Sequence, residues 1–333
     1  MTTLPGRKIG GATTSALGIG AMSFAEFYGP TTEENSYAIL DAAMELGVRH
    51  IDTSNVYGMG RSERAIGAWL AANPGARAQL HIATKGGITR DAEGNRRFDN
   101  TLAHLEAELD QSLERMGIDC VDLYYIHRRQ ADMPIEDATG ALAALVEKGK
   151  TKSIGFSEIA PSSLRRAHAV HPVAAVQSEY SLATRAPELG LVQACADLGV
   201  ALVAFSPVGR SLLTDRPLNA GAVAELPFLR ENPRFQAPNL AANLAATDRF
   251  RALAAEMGVP AAALAIGWVL AQGDHVLPIP GTRSVGHFRE LVQGVTLELS
   301  ADDIARIEAA LPVGWAHGDR YSAGQWVGPE RFC

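Results

Sequence analysis

The stretch HIDTSNVYGMGRSE, residues 50–63, changes character halfway along, and this change guides the interpretation of the whole chain. Its first residues resemble a short buried strand, whereas the segment after them carries glycines and polar residues. Asp52 lies at the end of the apolar part, and Tyr57 lies in the loop that follows. A carboxyl group and a phenol this close together, just past a strand, indicate a functional site at that end of the strand.

Short apolar runs of the same kind recur along the chain and predict eight strands. They lie in residues 16–22, 50–54, 80–85, 120–127, 152–157, 174–180, 200–207 and 275–281. Each run is continuously apolar, which is typical of parallel strands that are buried on both faces. Between them, apolar residues three and four positions apart predict helices in residues 33–47, 62–72, 100–117, 135–149, 162–170, 188–199, 246–258 and 285–293.

This alternation of strands and helices predicts an α/β fold of the closed (β/α)8 TIM-barrel type. An open doubly wound sheet is the main alternative, but its dinucleotide motif is poorly matched. Gly18 and Gly20 follow the first strand, yet Ser23 stands where a third glycine is needed. We therefore expect a barrel.

Three regions fall outside this alternation of strands and helices. Residues before the first strand, RKIGGATTSALG, predict a small hairpin that plugs the bottom of the barrel. Residues 208–246, after the seventh strand, are too long for an ordinary connection and predict a lid or binding loop. Residues 312–333 predict a tail over the active-site end. We expect one barrel domain over residues 1–333.

Composition narrows the choice of function. The net charge of −7 argues against sequence-independent binding of nucleic acid, which requires a basic surface. Cys120, Cys195 and Cys333 have no CxxC spacing, and three cysteines cannot all pair with one another. There is no run of about 18 apolar residues. We expect a cytoplasmic protein with no metal site, no nucleic-acid partner and no membrane contact, and leave its oligomeric state open.

Polar residues at the ends of neighbouring strands predict where the chemistry takes place. Asp52, Lys85 and His127 end the second, third and fourth strands, and Tyr57 follows the second. Because barrel enzymes keep their catalytic groups at the carboxyl ends of strands, these side chains are expected to converge. An ammonium group beside a phenol favours the phenolate, so we expect Lys85 to lower the pKa of Tyr57 below about 10.

At this point the motifs resemble a known family. HIDTSNVYGMGRSE, IATKGG, DLYYIHRR, VQSEYSL, FSPVGR and PIPGTR are similar, in order and spacing, to the motifs of the aldo-keto reductases. The form GFSE (155–158) resembles one long-chain branch found in bacteria and plants. The resemblance implies that Asp52, Tyr57, Lys85 and His127 are a catalytic tetrad. It also implies that Tyr57 is the general acid in the NAD(P)H-dependent reduction of aldehydes and ketones.

The same resemblance implies a cofactor site without a Rossmann fold. Ser157 and Gln177 would hold the nicotinamide carboxamide, and Tyr180 would stack on its ring. Ser206, Pro207, Gly209 and Arg210 would contact the pyrophosphate, and Gly281, Thr282, Arg283 and Glu290 the adenosine end. Glu158 replaces a common Asn, and His287 replaces an Arg near the 2′-phosphate. The resemblance favours NADPH, with NADH as the alternative.

Substrate selection is expected from aromatic residues in the loops and the tail: Phe24, Phe27, Tyr28, Trp315 and Trp326. Their bulk favours a small carbonyl compound as substrate. Two other functions remain open. One is an NADPH-binding redox sensor with vestigial catalysis, as in potassium-channel β subunits. The other is a phosphate-binding barrel isomerase or aldolase that uses Lys85 as a Schiff-base amine.

Overall fold

The structure is a computed structural model that describes residues 4–331. The last two residues of the predicted tail, 332 and 333, lie outside this range, and with them Cys333. The predicted N-terminal hairpin is present as two antiparallel strands, β1 (Gly6–Ile9) and β2 (Ala12–Ser15). Ile9 is buried with Ala174 in the inner cluster of the barrel, so the hairpin closes the bottom.

The remaining strands follow in chain order. They are β3 (Gly18–Gly20), β4 (His50–Asp52), β5 (His81–Gly86), β6 (Ile88–Arg90), β7 (Arg96–Phe98), β8 (Leu123–Ile126), β9 (Ile154–Ser157), β10 (Val173–Glu179), β11 (Ala201–Phe205) and β12 (Val276–Pro278). Strands β6 and β7 form an antiparallel hairpin in the loop after β5. The other eight form one parallel sheet in the order β3-β4-β5-β8-β9-β10-β11-β12. A bond from Gly20 N to Pro280 O, 2.9 Å long, joins its two edges, as the predicted (β/α)8 barrel requires.

Twelve α-helices are present in the described range. They are α1 (Glu33–Leu46), α2 (Arg61–Ala72), α3 (Leu102–Met116), α4 (Ile135–Glu147), α5 (Pro161–Val170), α6 (Leu191–Leu198), α7 (Ala220–Ala224), α8 (Pro227–Arg230), α9 (Asn239–Glu256), α10 (Ala261–Leu270), α11 (Val285–Gln293) and α12 (Ala301–Ala310). The long connection after β11 thus contains α7, α8 and the first part of α9. The eight predicted helices are present, with shifted ends.

Four helices, α7, α8, α10 and α12, were not predicted from the sequence. Helices α7 and α8 are short and lie in the connection that was predicted as a lid or binding loop. Helix α10 packs against β12 and is buried along almost its whole length, so it lacks the two-faced pattern that identifies a surface helix. Helix α12 begins at a capping box formed by Ser300 and Asp303, a local signal that the strand and helix pattern did not use.

The barrel strands alternate between an inner and an outer face. Ala83, Leu123, Tyr125 and Val203 belong to a cluster inside the barrel, whereas their chain neighbours pack against the helices. This period of two determines which side chains can reach the mouth of the barrel.

Within residues 4–331, no single helix is long and apolar enough to cross a membrane; α9 and α10 meet that test only as a pair, bent by 90°. No group of three or more metal-binding side chains is found in the same range. Cys120 and Cys195 are free thiols.

Candidate active site

The carboxyl ends of β4, β5 and β8 bring the first polar cluster together. Asp52 ends β4, Lys85 lies near the end of β5, and His127 directly follows β8, with its backbone N bonded to Gly86 O at 2.8 Å. All three side chains lie on the inner face. Lys85 is fully buried and Asp52 is 1% exposed, so the two charges share a site closed to solvent.

Lys85 is held by three acceptors. Its Nζ contacts Asp52 Oδ1 in an ion pair, Thr53 O at 2.8 Å and the Tyr57 hydroxyl at 3.3 Å. An ammonium group has three N–H donors, so this set uses all of them. The second oxygen of Asp52 accepts a bond from Gln177 Nε2 at 2.7 Å. The pair is thus satisfied, as a buried charge requires.

A tight loop returns Tyr57 to this ion pair. Tyr57 N donates to Ser54 O at 3.1 Å, and the loop then passes through Gly58 and Gly60, which both have positive φ. Lys85 Nζ lies 5.1 Å from the centre of the Tyr57 ring. The glycines in HIDTSNVYGMG therefore allow the turn that places the phenol over the carboxyl end of β4.

His127 faces Tyr57 across the site. The two rings are 5.9 Å apart and nearly perpendicular, and His127 Nδ1 lies 3.1 Å from Ser54 Oγ. Burial, together with the charges of Arg128 and Lys85, holds the pKa of His127 well below its ordinary value. The imidazole is therefore neutral at physiological pH.

The expected direction of the Tyr57 pKa shift was wrong. Burial raises the pKa of Tyr57 above 10, although Lys85 acts in the opposite direction. Burial alone would lower the pKa of Lys85, but Asp52 and Tyr57 raise it, and burial raises the pKa of Asp52. The sequence indicated the neighbouring charge but not the loss of hydration, which is the larger effect. Tyr57 therefore carries its proton at neutral pH.

Strands β9, β10 and β11 supply the other half of the mouth. Ser157, Gln177 and Glu179 lie on inner faces, and Ser157 Oγ accepts a bond from Arg128 Nη1 at 2.9 Å. Ser157 and Gln177 thus lie at the same end of the barrel as the Lys85 cluster.

Tyr180 does not lie where ring stacking would require it. It is fully buried on the outer side, 5.6 Å from the Trp268 ring of α10, and its hydroxyl donates to Glu188 at 2.9 Å. Because Gln177 and Glu179 point inward, the alternation of β10 directs Tyr180 outward. Phe205 is the aromatic residue that the sequence analysis missed: it ends β11 and packs against the inner cluster. Counting inward positions along VALVAF could have identified it.

Buried charged side chains from several elements meet beside the loop after β11. Arg210 forms an ion pair with Glu179, and Arg320, from the tail, pairs with Glu158 at 2.7 Å. Arg234 Nη1 lies 3.9 Å from Glu179. The buried charged residues here are Glu158, Glu179, Arg210, Arg234 and Arg320. Glu158, which was predicted to contact the cofactor, forms an ion pair with Arg320, a residue that the sequence analysis did not select.

The backbone conformation and the buried donors of the loop after β11 are typical of a ligand-binding site. Ser206 and Arg210 both have positive φ, at 50° and 53°. Pro207 and Gly209 are buried beside them. The Nε atoms of Arg210 and Arg234 are buried without a hydrogen-bond partner among the described residues. Strained backbone and unpaired buried donors are features of binding sites.

The predicted adenosine end lies beside the start of α11. Gly281 leaves no room for a side chain, since an added Cβ would lie 2.6 Å from Gly20 O. Thr282 Oγ1 accepts from Ser284 N at 3.1 Å, and Arg283 Nη1 donates to Pro30 O at 2.8 Å. His287 is exposed and Glu290 half-buried on α11. These residues are close together, near the carboxyl end of β12.

The aromatic candidates separate into two groups. Phe27, Tyr28 and Trp326 are half-buried, and Phe27 lies 5.2 Å from Tyr28. Phe24 is 2% exposed in the core, and Trp315 is buried with its Nε1 bonded to Leu182 O at 2.8 Å. Phe24 and Trp315 are thus packed in the hydrophobic core, and their place in the substrate pocket stays a prediction. Trp315 anchors the start of the tail.

Comparisons with known proteins agree with this geometry. The family model described as "Aldo/keto reductase family" matches residues 16–312. The chain is 39% identical to "Aldo-keto reductase yakc [NADP(+)]" of Schizosaccharomyces pombe, over 97% of this chain and 96% of that protein. It is 36% identical to "Probable aldo-keto reductase 1" of Glycine max, over 94% and 90% of the two chains.

Two solved structures extend the similarity to the fold. A glycerol dehydrogenase from Gluconobacter oxydans aligns with a TM-score of 0.81 at 26% identity, covering 93% of this chain and 94% of that one. The holo form of an aldo-keto reductase from Bacillus halodurans aligns with a TM-score of 0.77 at 26% identity, covering 97% and 99%.

Proposed function

Because this chain belongs to the aldo/keto reductase family, we propose that it reduces aldehydes or ketones to alcohols with NADPH, using Tyr57 as the general acid. The observation that carries the proposal is the contact of Lys85 Nζ with both Asp52 and the Tyr57 hydroxyl. NADPH, when bound, supplies the hydride that is added to the carbonyl carbon. The chain supplies the proton for the oxygen and holds both reactants.

Tyr57 is suited to donate that proton. Its raised pKa keeps the phenol protonated at neutral pH, as a general acid must be. Once the proton has left, the ammonium of Lys85 at 3.3 Å stabilises the phenolate. Asp52 keeps Lys85 charged, and Gln177 satisfies the remaining oxygen of Asp52.

His127 orients the substrate oxygen. Ser54 Oγ has one proton and two acceptors in reach, His127 Nδ1 at 3.1 Å and Asn55 Oδ1 at 3.2 Å. When the proton is donated to Nδ1, the ring proton lies on Nε2, which can donate a hydrogen bond to a carbonyl oxygen. The neutral form is the relevant one, because the pKa of His127 is held low by burial and by Arg128. His127 is thus a positioning donor beside the acid.

The residues around the mouth fit a nicotinamide dinucleotide. Ser157 and Gln177 would hold the carboxamide, and Phe205, in place of Tyr180, would lie against the ring. The loop of Ser206, Pro207, Gly209 and Arg210, with its strained backbone and unpaired Arg210 Nε, would bind the pyrophosphate. Gly281, Thr282, Arg283, His287 and Glu290 would receive the adenosine end. Arg283 offers a charge for a 2′-phosphate, and the name of the S. pombe relative supports NADPH.

A Schiff-base function for Lys85 is disfavoured. It would need a neutral amine open to substrate, whereas Lys85 is fully buried and Asp52 raises its pKa. Borohydride trapping of a substrate on Lys85 would reverse this conclusion.

The proposal is tested by replacing the acid. Tyr57→Phe should retain NADPH binding but lose about 100-fold or more in turnover, the usual contribution of a positioned acid. Tyr37→Phe is the control, because it removes a phenol of α1 that is bonded to Glu33 at the surface, and should leave turnover within about twofold of the wild type. Turnover is followed by NADPH absorbance with aromatic and aliphatic aldehydes, and repeated with NADH.

Near-full activity of Tyr57→Phe would refute the acid role. If wild type and variant both bind NADPH and neither oxidises it with any carbonyl compound, the redox-sensor function becomes the better explanation.

A further inference from the structure

Two arginines at the mouth of the barrel differ from their sequence neighbours. The chain has the doublets Arg96-Arg97 and Arg128-Arg129. Arg97 pairs with Asp91 at 3.1 Å, and Arg129 pairs with Glu330. Neither Arg96 nor Arg128 takes part in any ion pair between residues 4 and 331. One member of each doublet therefore has no carboxylate in direct contact.

Hydrogen bonds to neutral oxygens fix these two side chains. Arg128 Nη1 donates to His127 O at 2.7 Å and to Ser157 Oγ at 2.9 Å. Arg96, on β7, donates from Nη2 to Gly324 O and Val327 O of the tail, each at 2.8 Å. Both guanidinium groups are thus held in place without being neutralised.

The charges of Arg96 and Arg128 influence His127. Arg128 directly follows His127 and, after burial, contributes to the low pKa of that histidine; Arg96 contributes as well. The tail brings the two side chains to the same place: Arg96 Nη2 bonds to Val327 O at 2.8 Å, and a Cβ added to the next residue, Gly328, would lie 3.1 Å from Arg128 Cγ. Two guanidinium groups with no carboxylate in contact thus lie in the loops after β5 and β8.

This side is remote from the expected phosphates of the cofactor. The pyrophosphate and adenosine positions follow β11 and β12, whereas Arg96 and Arg128 follow β5 and β8, several strands away around the barrel. An anion bound by Arg96 and Arg128 would belong to the other reactant.

We propose that Arg96 and Arg128 select carbonyl substrates that carry a carboxylate group. The inference rests on the proposed reductase function and names the substrate class for the same site. The two guanidinium groups bind the carboxylate while His127 and Tyr57 receive the carbonyl oxygen. Arg96 is exposed and Arg128 half-buried, so salt will partly screen the attraction.

The test compares matched pairs of aldehydes: 4-carboxybenzaldehyde with its methyl ester, and succinic semialdehyde with its methyl ester. The quantity measured is the ratio of kcat/KM for acid over ester, with NADPH. For at least one pair the wild type should favour the acid by about tenfold, equal to about 1.4 kcal/mol. Raising the salt concentration should reduce the ratio.

Arg96→Gln and Arg128→Gln should each lower this ratio at least threefold, mainly through KM of the acid. Arg97→Gln is the matched control, since it removes the same charge from the next residue, whose partner is Asp91. Its ratio should remain that of the wild type. The ratio cancels any general effect of a variant on folding or on turnover.

Equal or better use of the esters by the wild type would overturn the inference and leave the reductase function intact. A ratio unchanged in both the Arg96 and Arg128 variants would also overturn it. If no aldehyde of either kind is reduced, the proposed function fails, and this inference fails with it.

Discussion

The two ends of strands β4 and β5 hold different buried polar pairs. At the bottom, His50 and His81 face each other inside the barrel, with their Nδ1 atoms 3.0 Å apart. At the top, on the same inner faces, Asp52 and Lys85 form an ion pair that also reaches Tyr57. Both pairs are buried, yet one is neutral and the other charged.

The difference between the pairs follows from their partners. Burial lowers the pKa of His50 to about 4 and that of His81 to about 3, so both rings lose their charge. At the top, opposite charges, Gln177 and the Thr53 carbonyl stabilise the ionised groups. Burial therefore removes charge where no opposite charge is in contact, and retains it where one is. Only the top pair is in contact with the proposed general acid, Tyr57.

Breaking the top pair should have the largest effect. Lys85→Met leaves the Asp52 carboxylate buried without its cation, and should lower the free energy of unfolding by about 3–5 kcal/mol. Turnover should also fall by about 100-fold or more, because the Tyr57 phenolate loses its stabilising charge. Urea unfolding and NADPH oxidation measure the two effects.

A double variant separates stability from catalysis. Asp52→Asn with Lys85→Met removes both charges and should recover most of the lost stability while remaining inactive. A single Lys85→Met variant as stable as the wild type would show that Asp52 is not held as a buried carboxylate.

The bottom pair should affect stability in acid and leave turnover at neutral pH unchanged. A histidine whose folded pKa is depressed stabilises the fold above the unfolded pKa of about 6.5, and this contribution is lost as the pH falls towards the folded pKa. With folded values of about 4 and 3, the window runs from about pH 6.5 down to about pH 3. Each pKa unit is worth about 1.4 kcal/mol, so several kcal/mol are at stake.

His81→Asn keeps a polar atom near the position of Nδ1 but cannot take up the proton. Its free energy of unfolding, measured by urea titration between pH 4 and 7.5, should vary less with pH than that of the wild type. Identical slopes for the two proteins would mean that His81 is not a buried neutral ring.

A smaller effect, on NADPH binding, should distinguish the inner and outer faces at the carboxyl ends of β10 and β11. Phe205, on the inner face, should contribute to NADPH binding: Phe205→Ala is expected to weaken it by about tenfold, or about 1.4 kcal/mol. Tyr180→Leu, on the outer face, removes both the aromatic ring and the bond to Glu188; it should lower stability but bind NADPH normally. Fluorescence titration measures NADPH binding by both variants, and weaker binding by Tyr180→Leu with normal binding by Phe205→Ala would restore the original assignment.

Several features could be predicted from the sequence because they depend on local pattern. The continuous apolar runs predicted the parallel strands, and the polar residues at their ends predicted that Asp52, Lys85 and His127 would meet. Helix α10 was missed because it is apolar on all sides, so periodicity could not identify it. Arg320 was missed because its partner Glu158 is 162 residues away, and no local pattern joins them.

The sequence by itself thus determined the order of strands and helices, and with it the barrel and the end at which polar residues gather. Tertiary structure alone decided which side chains face the mouth. Tyr180 and Phe205 both end apolar runs, and only the register of each strand directs one outward and the other inward. It also decided the pKa of Tyr57, because the phenol loses its hydration only when the folded chain buries it.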